Sequence, residues 1–178
     1  MHDGLAVPSG WVRRFAHLVP PGATVLDLAA GGGRHTRFFA GRGNLVLAVD
    51  RRLEAMADLV GVPGIELLEA DLEAAPWPLA GRRFAAVVVT NYLHRPLLPV
   101  LADSLATGGV LLYETFAEGQ GAFGRPSCPD YLLKPNELLD AFAGPLTVVA
   151  YEHGIDHRPR PAAVQRIAAV AGRTLVPL

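Results

Sequence analysis

Five short runs of the chain are rich in apolar residues, and in some of them, such as residues 85–89, every position is apolar. The runs cover residues 23–28, 45–49, 65–69, 84–90 and 110–116. A strand that is apolar at every position is covered on both faces, which is typical of a parallel sheet. Segments of helical character separate the runs, as the crossovers between parallel strands require. The pattern therefore predicts an α/β fold with helices on both faces of the sheet.

The remaining segments predict five helices and one further pair of strands. The helices are expected at residues 9–18, 34–41, 53–60, 97–105 and 136–142. Gly61, Gly108 and Gly109 stand where helices are expected to end, because glycine readily takes the left-handed conformation found there. Two strands, at 146–152 and 165–171, are joined by a short polar stretch at 153–164. A connection this short favours an antiparallel hairpin.

The length of 178 residues is enough for one sizeable core and too small for two ordinary domains. With 51% hydrophobic and 19% charged residues, the composition is that of a globular protein. We expect a single domain over 1–178, with an N-terminal helical segment at 1–20. Residues 117–135 are rich in Gly and Pro and predict a long loop or a lid.

The charge and the cysteine content limit the possible partners and compartments. A formal net charge of -1 argues against a nucleic-acid partner, because neutralising phosphates requires a basic excess. Cys128 is the single cysteine, so no internal disulfide is expected. We find neither a signal-peptide pattern nor an apolar run long enough to span a bilayer. These features predict a cytoplasmic protein with no membrane partner.

A buried strand runs into glycines and then into a helix at residues 25–35, Val-Leu-Asp-Leu-Ala-Ala-Gly-Gly-Gly-Arg-His. Glycines at such a junction allow positive φ and close approach of the backbone to a ligand. A tight strand-to-helix turn without a ligand also fits this pattern. Asp50 closes the next strand, about 20 residues after the glycines. In dinucleotide-binding folds an acidic residue at this distance accepts hydrogen bonds from ribose hydroxyls, so Asp50 favours a nucleotide cofactor. Taken alone, an aspartate at a strand end also fits a helix cap.

Asp71 closes the third strand, so three successive strands end in polar groups. The carboxyl ends of parallel strands lie at one edge of the sheet, and ligands of open α/β sheets bind at that edge. We therefore expect these groups to surround one ligand, with the Asp71 carboxylate accepting a hydrogen bond from an exocyclic amine.

From about Trp11 onward the chain resembles the class I S-adenosylmethionine-dependent methyltransferases. In that family an acidic residue in the first strand is followed by a Gly-x-Gly turn, matched here by Asp27, Gly31 and Gly33, while Ala29 replaces a frequent glycine. Segments 90–97 and 131–139 resemble a bacterial subgroup similar to tellurite-resistance methyltransferases. The resemblance implies a Rossmann-like methyltransferase fold, with a mostly parallel seven-stranded sheet and a C-terminal antiparallel hairpin.

The resemblance also implies S-adenosylmethionine as cofactor and S-adenosylhomocysteine as product. Asp50 would then bind the ribose hydroxyls, Asp71 the adenine amine, the Leu72 backbone N–H an adenine nitrogen, and Asn91 the methionine part. The cofactor-binding residues expected on this basis are Asp27, Ala29, Gly31, Gly33, Asp50, Arg51, Asp71, Leu72 and Asn91.

Methyl transfer from a sulfonium is an in-line displacement, so alignment and water exclusion matter more than a dedicated base. We expect a small-molecule acceptor, because the Asn/Asp-Pro-Pro-aromatic motif of enzymes that methylate adenine or glutamine is absent after the fourth strand. His94, as a proton acceptor, and Tyr92 are the candidate catalytic groups. The candidate substrate contacts are Tyr92, His94, Arg95, Glu114, His153, His157, Arg158 and Arg160.

Other functions fit the sequence less well. Cys128 has no recognisable partner base, and His153, Asp156 and His157 are too few for a metal site, so no metal is predicted. A nicotinamide-dependent oxidoreductase would need a third glycine where Thr36 stands. A non-catalytic S-adenosylmethionine-binding module is the other alternative, and incubation with labelled cofactor and candidate acceptors separates it from an enzyme.

Overall fold

A computed structural model describes residues 7–172 and 175–177 of the chain. Residues 1–6 of the expected N-terminal segment, and residues 173, 174 and 178 of the expected domain, lie outside the described residues. The α-helices of the described part are α1 (Gly10–Phe15), α2 (Arg34–Ala40), α3 (Leu98–Asp103) and α4 (Glu137–Phe142). Its strands are β1 (Thr24–Leu28), β2 (Leu45–Asp50), β3 (Ile65–Glu69), β4 (Phe84–Thr90), β5 (Leu105–Phe116), β6 (Leu146–Asp156) and β7 (Ala162–Ala171).

These strands form one sheet in the order β3-β2-β1-β4-β5-β7-β6. The neighbours among β1 to β5 are parallel, and β7 lies antiparallel between β5 and β6. The predicted seven-stranded, mostly parallel sheet with a C-terminal antiparallel hairpin is confirmed. The strand order reverses between β1 and β4, and ligands of open α/β sheets bind outside the carboxyl ends of the strands at such a point.

Both faces of the sheet are buried, as the consecutive apolar runs predict. Residues 86–89 of β4 are 0% exposed. The face covered by α1 and α2 contains Trp11, Phe15 and Phe39, and the face covered by α3 and α4 contains Leu101, Leu138 and Phe142. Each such side chain stabilises the fold by about 1.5–3 kcal/mol relative to an exposed position. Tertiary burial therefore holds helices that are too short to be stable alone.

The segment predicted as a helix at 53–60 is instead a 3₁₀ helix over Glu54–Leu59. It is interrupted at Met56, whose φ of -120° and ψ of 16° are not helical. Met56 is fully buried, so packing against the glycine loop after β1, and not helix propensity, determines its conformation. No helix within the described residues combines the length and the apolar character that crossing a membrane requires.

The fifth strand begins earlier than the apolar run predicts. β5 starts at Leu105 because this residue pairs with Phe84 on β4, and after a register shift the regular ladder resumes at Val110. The helix predicted at 97–105 is therefore too long. In its place the chain forms a 3₁₀ turn at Arg95–Leu97 followed by α3.

The hairpin strands are also longer than predicted. β6 extends to Asp156 and β7 begins at Ala162, so residues 157–161 alone join them. β6 is an edge strand whose last residues pair with β7 through the backbone; the His153 side chain faces solvent, and that of Asp156 is paired with Arg166. The sequence does not reveal this extension, because the added residues lack an apolar alternation.

Candidate functional site

The loop after β1 has the backbone conformation that the glycines predicted. Gly31 and Gly33 have φ of 56° and 72°, and Ala29 has φ of 53°. For alanine this left-handed conformation costs about 1–2 kcal/mol, so the surrounding structure must hold the turn. A Cβ built on Gly33 would lie 2.9 Å from the Met56 sulfur, whereas Gly31 and Gly32 face open space. The outer side of the loop is therefore open to a ligand.

Arg37 holds this loop from the side of α2. Its guanidinium donates to the Gly32 carbonyl oxygen and makes two hydrogen bonds, of 2.7 and 2.8 Å, to the Asp58 carboxylate. The Arg37 bond lowers the pKa of Asp58, which keeps that carboxylate ionised. The 3₁₀ helix that carries Asp58 thus supports the glycine loop.

The tips of β1, β2 and β3 converge, as the sequence predicts. The backbone N–H of Gly31 donates to Oδ2 of Asp50 over 2.7 Å, and that of Arg52 donates to Oδ1 over 3.1 Å. The backbone N–H of Ala70 donates to the Asp50 carbonyl oxygen over 2.9 Å, and Asp71 follows directly. The Asp50 carboxylate therefore sits between the glycine loop and the start of the Asp71 turn.

Asp71 is exposed and has a fixed orientation. Its Oδ1 accepts hydrogen bonds from the backbone N–H groups of Glu73 and Ala74, over 2.9 and 3.2 Å. These two bonds, with smaller contributions from Arg51 and His94, lower the pKa of the Asp71 carboxyl. The group is therefore a carboxylate at neutral pH and can accept hydrogen bonds from a ligand.

Tyr92, a predicted substrate contact, faces the carboxylates of the β2 and β3 tips. Its hydroxyl oxygen is buried and has no hydrogen-bond partner among the described residues. Burial first, and then the charges of Glu73, Asp71 and Asp50, raise the pKa of the Tyr92 phenol. Tyr92 therefore stays protonated at neutral pH and acts as a hydrogen-bond donor, not as a base.

The tip of β4 carries Thr90 and Asn91. Asn91 is exposed, has a φ of 55°, and donates its backbone N–H to the Glu114 carbonyl oxygen over 2.9 Å. Asparagine tolerates this left-handed conformation better than most residues. The hydroxyl oxygen of Thr90 accepts a hydrogen bond from the Arg34 guanidinium over 3.3 Å. β4 thus ends beside the first residue of α2.

His35 connects this tip to the start of α1. Its Nε2 accepts a hydrogen bond from the backbone N–H of Ser9 over 3.1 Å, so the ring proton lies on Nδ1, which is 3.5 Å from the Thr90 hydroxyl. Burial, together with the charge of Arg34, lowers the pKa of His35 to about 3. The sequence analysis missed Arg34, His35 and Thr90; the one available indication is that Arg34 and His35 directly follow the glycines.

Asp27 is buried under the loop and bonded to α2. Its Oδ2 accepts a hydrogen bond of 2.6 Å from the Thr36 hydroxyl, and only 2% of the residue is exposed. Burial is the main reason that the pKa of Asp27 is raised to about 6. Asp27 therefore supports the glycine loop from inside the protein, and a direct contact with a ligand does not follow from its position.

Arg95, predicted as a substrate contact, is instead bonded to the protein by all three guanidinium nitrogens. Nε and one terminal nitrogen donate to the Glu137 carboxylate over 2.6 and 3.0 Å. The terminal nitrogens also donate to the carbonyl oxygens of Asp130 and Leu132, each over 2.8 Å. Although burial raises the pKa of Glu137, its hydrogen bonds to Arg95 and to the Lys134 N–H lower it overall.

Two buried glutamines fasten the segment expected to be a loop or a lid, residues 117–135. Gln120 accepts a hydrogen bond of 2.9 Å from the backbone N–H of Ala163 on β7. Gln165 accepts one of 3.2 Å from Leu138 and donates to the Lys134 carbonyl oxygen. Together with Arg95, these bonds tie both parts of the segment to α4 and β7.

Replacing Arg95 with alanine is expected to lower the free energy of unfolding by about 2 kcal/mol, because the half-buried Glu137 carboxylate loses its partner. Cleavage by protease within 117–135 should become faster. Urea unfolding and limited proteolysis measure both effects. Arg82→Ala is the matched control, since the Arg82–Glu66 pair is exposed and is expected to contribute less than about 1 kcal/mol. Equal losses in the two variants would contradict the role of Arg95.

The side chain of Glu114, next to the tip of β4, is engaged with the hairpin. Glu114 is paired with Arg166 of β7, which also binds Asp156 and lies 3.4 Å from Glu152. The Arg166 hydrogen bond outweighs the effect of burial and lowers the pKa of Asp156. The remaining polar candidates of this region are exposed and are Cys128, His153, His157, Arg158 and Arg160.

A groove of about 340 Å³ opens at the opposite edge of the sheet, where β1 to β4 begin. Leu45, Ile65 and Phe84 line it, and the Glu66–Arg82 ion pair is its main charged feature. Because ligands of open α/β sheets bind at the carboxyl edge, the converging tips and not this groove are the candidate site.

No family model and no curated protein matches the sequence. Solved structures do match the fold. TehB from Haemophilus influenzae superposes with a TM-score of 0.75 at 18% sequence identity, over 93% of this chain and 63% of that chain. The present chain thus spans less than two thirds of the TehB chain.

Two further structures match over most of both chains. One is the 1,6-didemethyltoxoflavin-N1-methyltransferase of Burkholderia thailandensis with bound 1,6-didemethyltoxoflavin and S-adenosylhomocysteine, with a TM-score of 0.69 at 21% identity over 97% of this chain and 84% of that chain. The other is a TehB-like SAM-dependent methyltransferase of Corynebacterium glutamicum, with a TM-score of 0.66 at 16% identity over 92% and 88%. The chain therefore has the Rossmann-like fold of S-adenosylmethionine-dependent methyltransferases.

Proposed function

We propose that this protein transfers the methyl group of S-adenosylmethionine to a small-molecule acceptor. The observation that carries the proposal is the convergence of the glycine loop with Asp50 and Asp71, linked by the hydrogen bond from Gly31 to Asp50. Similar folds of known methyltransferases, one of them with S-adenosylhomocysteine bound, support it.

The polar groups present fit this cofactor. The Asp50 carboxylate, with two oxygens, would hold the two ribose hydroxyls, and Asp71 with the Leu72 N–H would hold the adenine edge. The buried hydroxyl of Tyr92, which has no partner in the described part of the chain, would donate to the same adenosine moiety. Gly31 and Gly32 leave open space where the cofactor would cross the loop. Ala29, Gly33, Arg51 and Asn91 complete the proposed cofactor site.

S-adenosylmethionine supplies a methyl group on a good leaving group, so the protein needs to align the acceptor with it and to exclude water. Tyr92 is a protonated donor in this site, so it would orient a ligand. His94 is near enough to Asp71 to contribute to the lowered pKa of that carboxyl, so it would stand on the adenosine side as well. A catalytic base at either position is therefore not part of the proposal.

The acceptor in this proposal is a small molecule, as it is for the didemethyltoxoflavin enzyme among the similar structures. The fastened segment 117–135 and the hairpin turn 157–161 would border the acceptor, because both follow the carboxyl edge of β5 and β6. We also place the protein in the cytoplasm, in keeping with a single exposed cysteine that forms no internal disulfide.

Calorimetric titration with S-adenosylhomocysteine tests the cofactor, and we expect a dissociation constant between about 1 µM and 1 mM. NADH is the control ligand and should give no heat. Incubation with methyl-labelled S-adenosylmethionine and a panel of thiols, phenols, amines and chalcogen oxyanions then tests transfer. Binding of NADH alone would identify an oxidoreductase. Binding of S-adenosylhomocysteine without label transfer to any acceptor would identify a non-catalytic binding module.

A further inference from the structure

Arg34 is a half-buried cation between the glycine loop and the tip of β4. It follows Gly33 directly, and its guanidinium donates to the Thr90 hydroxyl over 3.3 Å. Thr90 is itself followed by Asn91, the residue proposed to border the methionine part of the cofactor. Arg34 thus reaches the same part of the site as Asn91, on the side away from Asp71.

No carboxylate among residues 7–172 and 175–177 forms an ion pair with Arg34. Burial lowers the pKa of its guanidinium, and the nearest negative charges, Glu114 and Asp27, act against this lowering. Both of those carboxylates are engaged elsewhere, since Glu114 is paired with Arg166 and Asp27 accepts from Thr36. A desolvated guanidinium without an ion pair is costly unless a ligand supplies the anion.

The charges of the site are also divided between its two ends. The β2 and β3 tips present Asp50, Asp71 and Glu73, which suit the hydroxyl and amine donors of an adenosine. Beside the β4 tip lies the cation Arg34 of α2, and the Glu114 carboxylate on neighbouring β5 is already paired with Arg166. A ligand with donor groups at one end and a carboxylate at the other matches this division in one orientation only.

We propose that Arg34 binds the carboxylate at the amino-acid end of the cofactor. The inference rests on the proposed function and adds a specific role for this residue. A guanidinium presents two parallel N–H donors that match a carboxylate, and the hydrogen bond to Thr90 fixes the direction in which the remaining donors point. Arg34 therefore sets the orientation of the cofactor as well as contributing to its affinity.

Arg34→Gln tests this role with two ligands, S-adenosylhomocysteine and 5′-methylthioadenosine, which lacks the amino-acid end. The variant is expected to bind S-adenosylhomocysteine about 10- to 100-fold more weakly, the effect of losing a hydrogen bond between charged groups. Its affinity for 5′-methylthioadenosine should not change. Arg34→Lys keeps the charge but loses the two parallel N–H donors, so its affinity for S-adenosylhomocysteine should lie between those of Arg34→Gln and the wild type. Arg13→Gln removes an exposed arginine of α1 and should leave both affinities unchanged.

Calorimetry on the full chain separates the possible outcomes. A loss confined to S-adenosylhomocysteine supports the proposal. Equal losses of affinity for both ligands would show that Arg34 only stabilises the loop. Unchanged affinities would show that Arg34 does not bind the carboxylate of the cofactor. Either result overturns the proposal. If the wild-type protein binds neither ligand, the proposed function itself fails, so the two failures are distinguishable.

Discussion

Replacing Asp50 with alanine is expected to lower the affinity for S-adenosylhomocysteine by at least about 100-fold, because two hydrogen bonds from ribose to a carboxylate are lost. The same change removes the acceptor of the Gly31 and Arg52 N–H groups, so the glycine loop also loses its link to β2. Asp50→Asn keeps one oxygen that can accept a hydrogen bond, so it should lose less affinity than Asp50→Ala. Calorimetric titration of the wild type and the two variants with S-adenosylhomocysteine measures the order of their affinities.

Asp103→Ala is the matched control for this prediction. Asp103 is an exposed aspartate at the end of α3, on the face of the sheet away from the glycine loop. Its replacement should leave the affinity unchanged. If Asp50→Ala bound S-adenosylhomocysteine as tightly as the Asp103 variant, Asp50 would not be a ribose ligand, and the interpretation of the converging tips would be wrong.

The second large effect concerns stability at acidic pH. The pKa of His35 is lowered to about 3 in the folded protein, so the neutral ring contributes stability above its unfolded pKa of 6.5, and this is lost as the pH falls towards 3. The pKa of Asp27 is raised from 3.8 to about 6 in the folded protein. The protonated carboxyl therefore contributes to the free energy of unfolding in full below pH 3.8, and this contribution is lost as the pH rises through 6. Between these limits the two groups act in opposite directions and largely offset each other.

Asp27→Asn is expected to remove one of these two contributions. The variant keeps an oxygen that accepts from Thr36 but no longer binds a proton, so the effect of His35 is left unopposed. Between about pH 6.5 and pH 4.5 the free energy of unfolding should fall by about 2 kcal/mol more than in the wild type, because Asp27 opposes His35 only below about pH 6, at about 1.4 kcal/mol per pH unit. Urea unfolding at a series of pH values measures this difference.

His35→Gln provides the opposite case. This variant loses the ring nitrogen that accepts a hydrogen bond from the Ser9 N–H. When the solution is acidified, its free energy of unfolding should nevertheless rise above the value that the same variant has at neutral pH, because Asp27 then acts without the opposing effect of His35. Carboxylates elsewhere in the chain contribute equally to all three proteins. Parallel pH curves for the wild type and both variants would contradict the buried, neutral state of His35.

The parts of the fold that sequence alone predicted are those determined by local pattern. The runs rich in apolar residues identified β1 to β5, because strands buried on both faces have few polar positions. The spacing between the glycines and Asp50 predicted that both lie at one edge of the sheet, since the carboxyl ends of parallel strands meet there. The hydrogen bond from Gly31 to Asp50 agrees with this placement. For the same reason Asp71 was expected at the same edge, and the Ala70 hydrogen bond to the Asp50 carbonyl is in agreement.

The parts that were not predicted depend on partners distant in the chain. Arg95 meets Glu137 across 42 positions, and nothing around Arg95 distinguishes a structural ion pair from a ligand contact. His35 meets Thr90 across 55 positions, with no indication in either local sequence. The start of β5 at Leu105 depends on pairing with Phe84. In each case a tertiary contact, and not local propensity, determines the structure.

The position of β7 between β5 and β6 has a consequence for synthesis on the ribosome. Among the described strands, β7 is the last to emerge. It carries Arg166, which pairs with Glu114, and Gln165, which bonds to Lys134 and Leu138. A nascent chain that has not reached residue 162 can assemble β1 to β5 but leaves one flank of β5 unpaired. The converging tips of β1 to β3 are thus available for cotranslational assembly, whereas the flank of β5 is completed only after translation has passed β7.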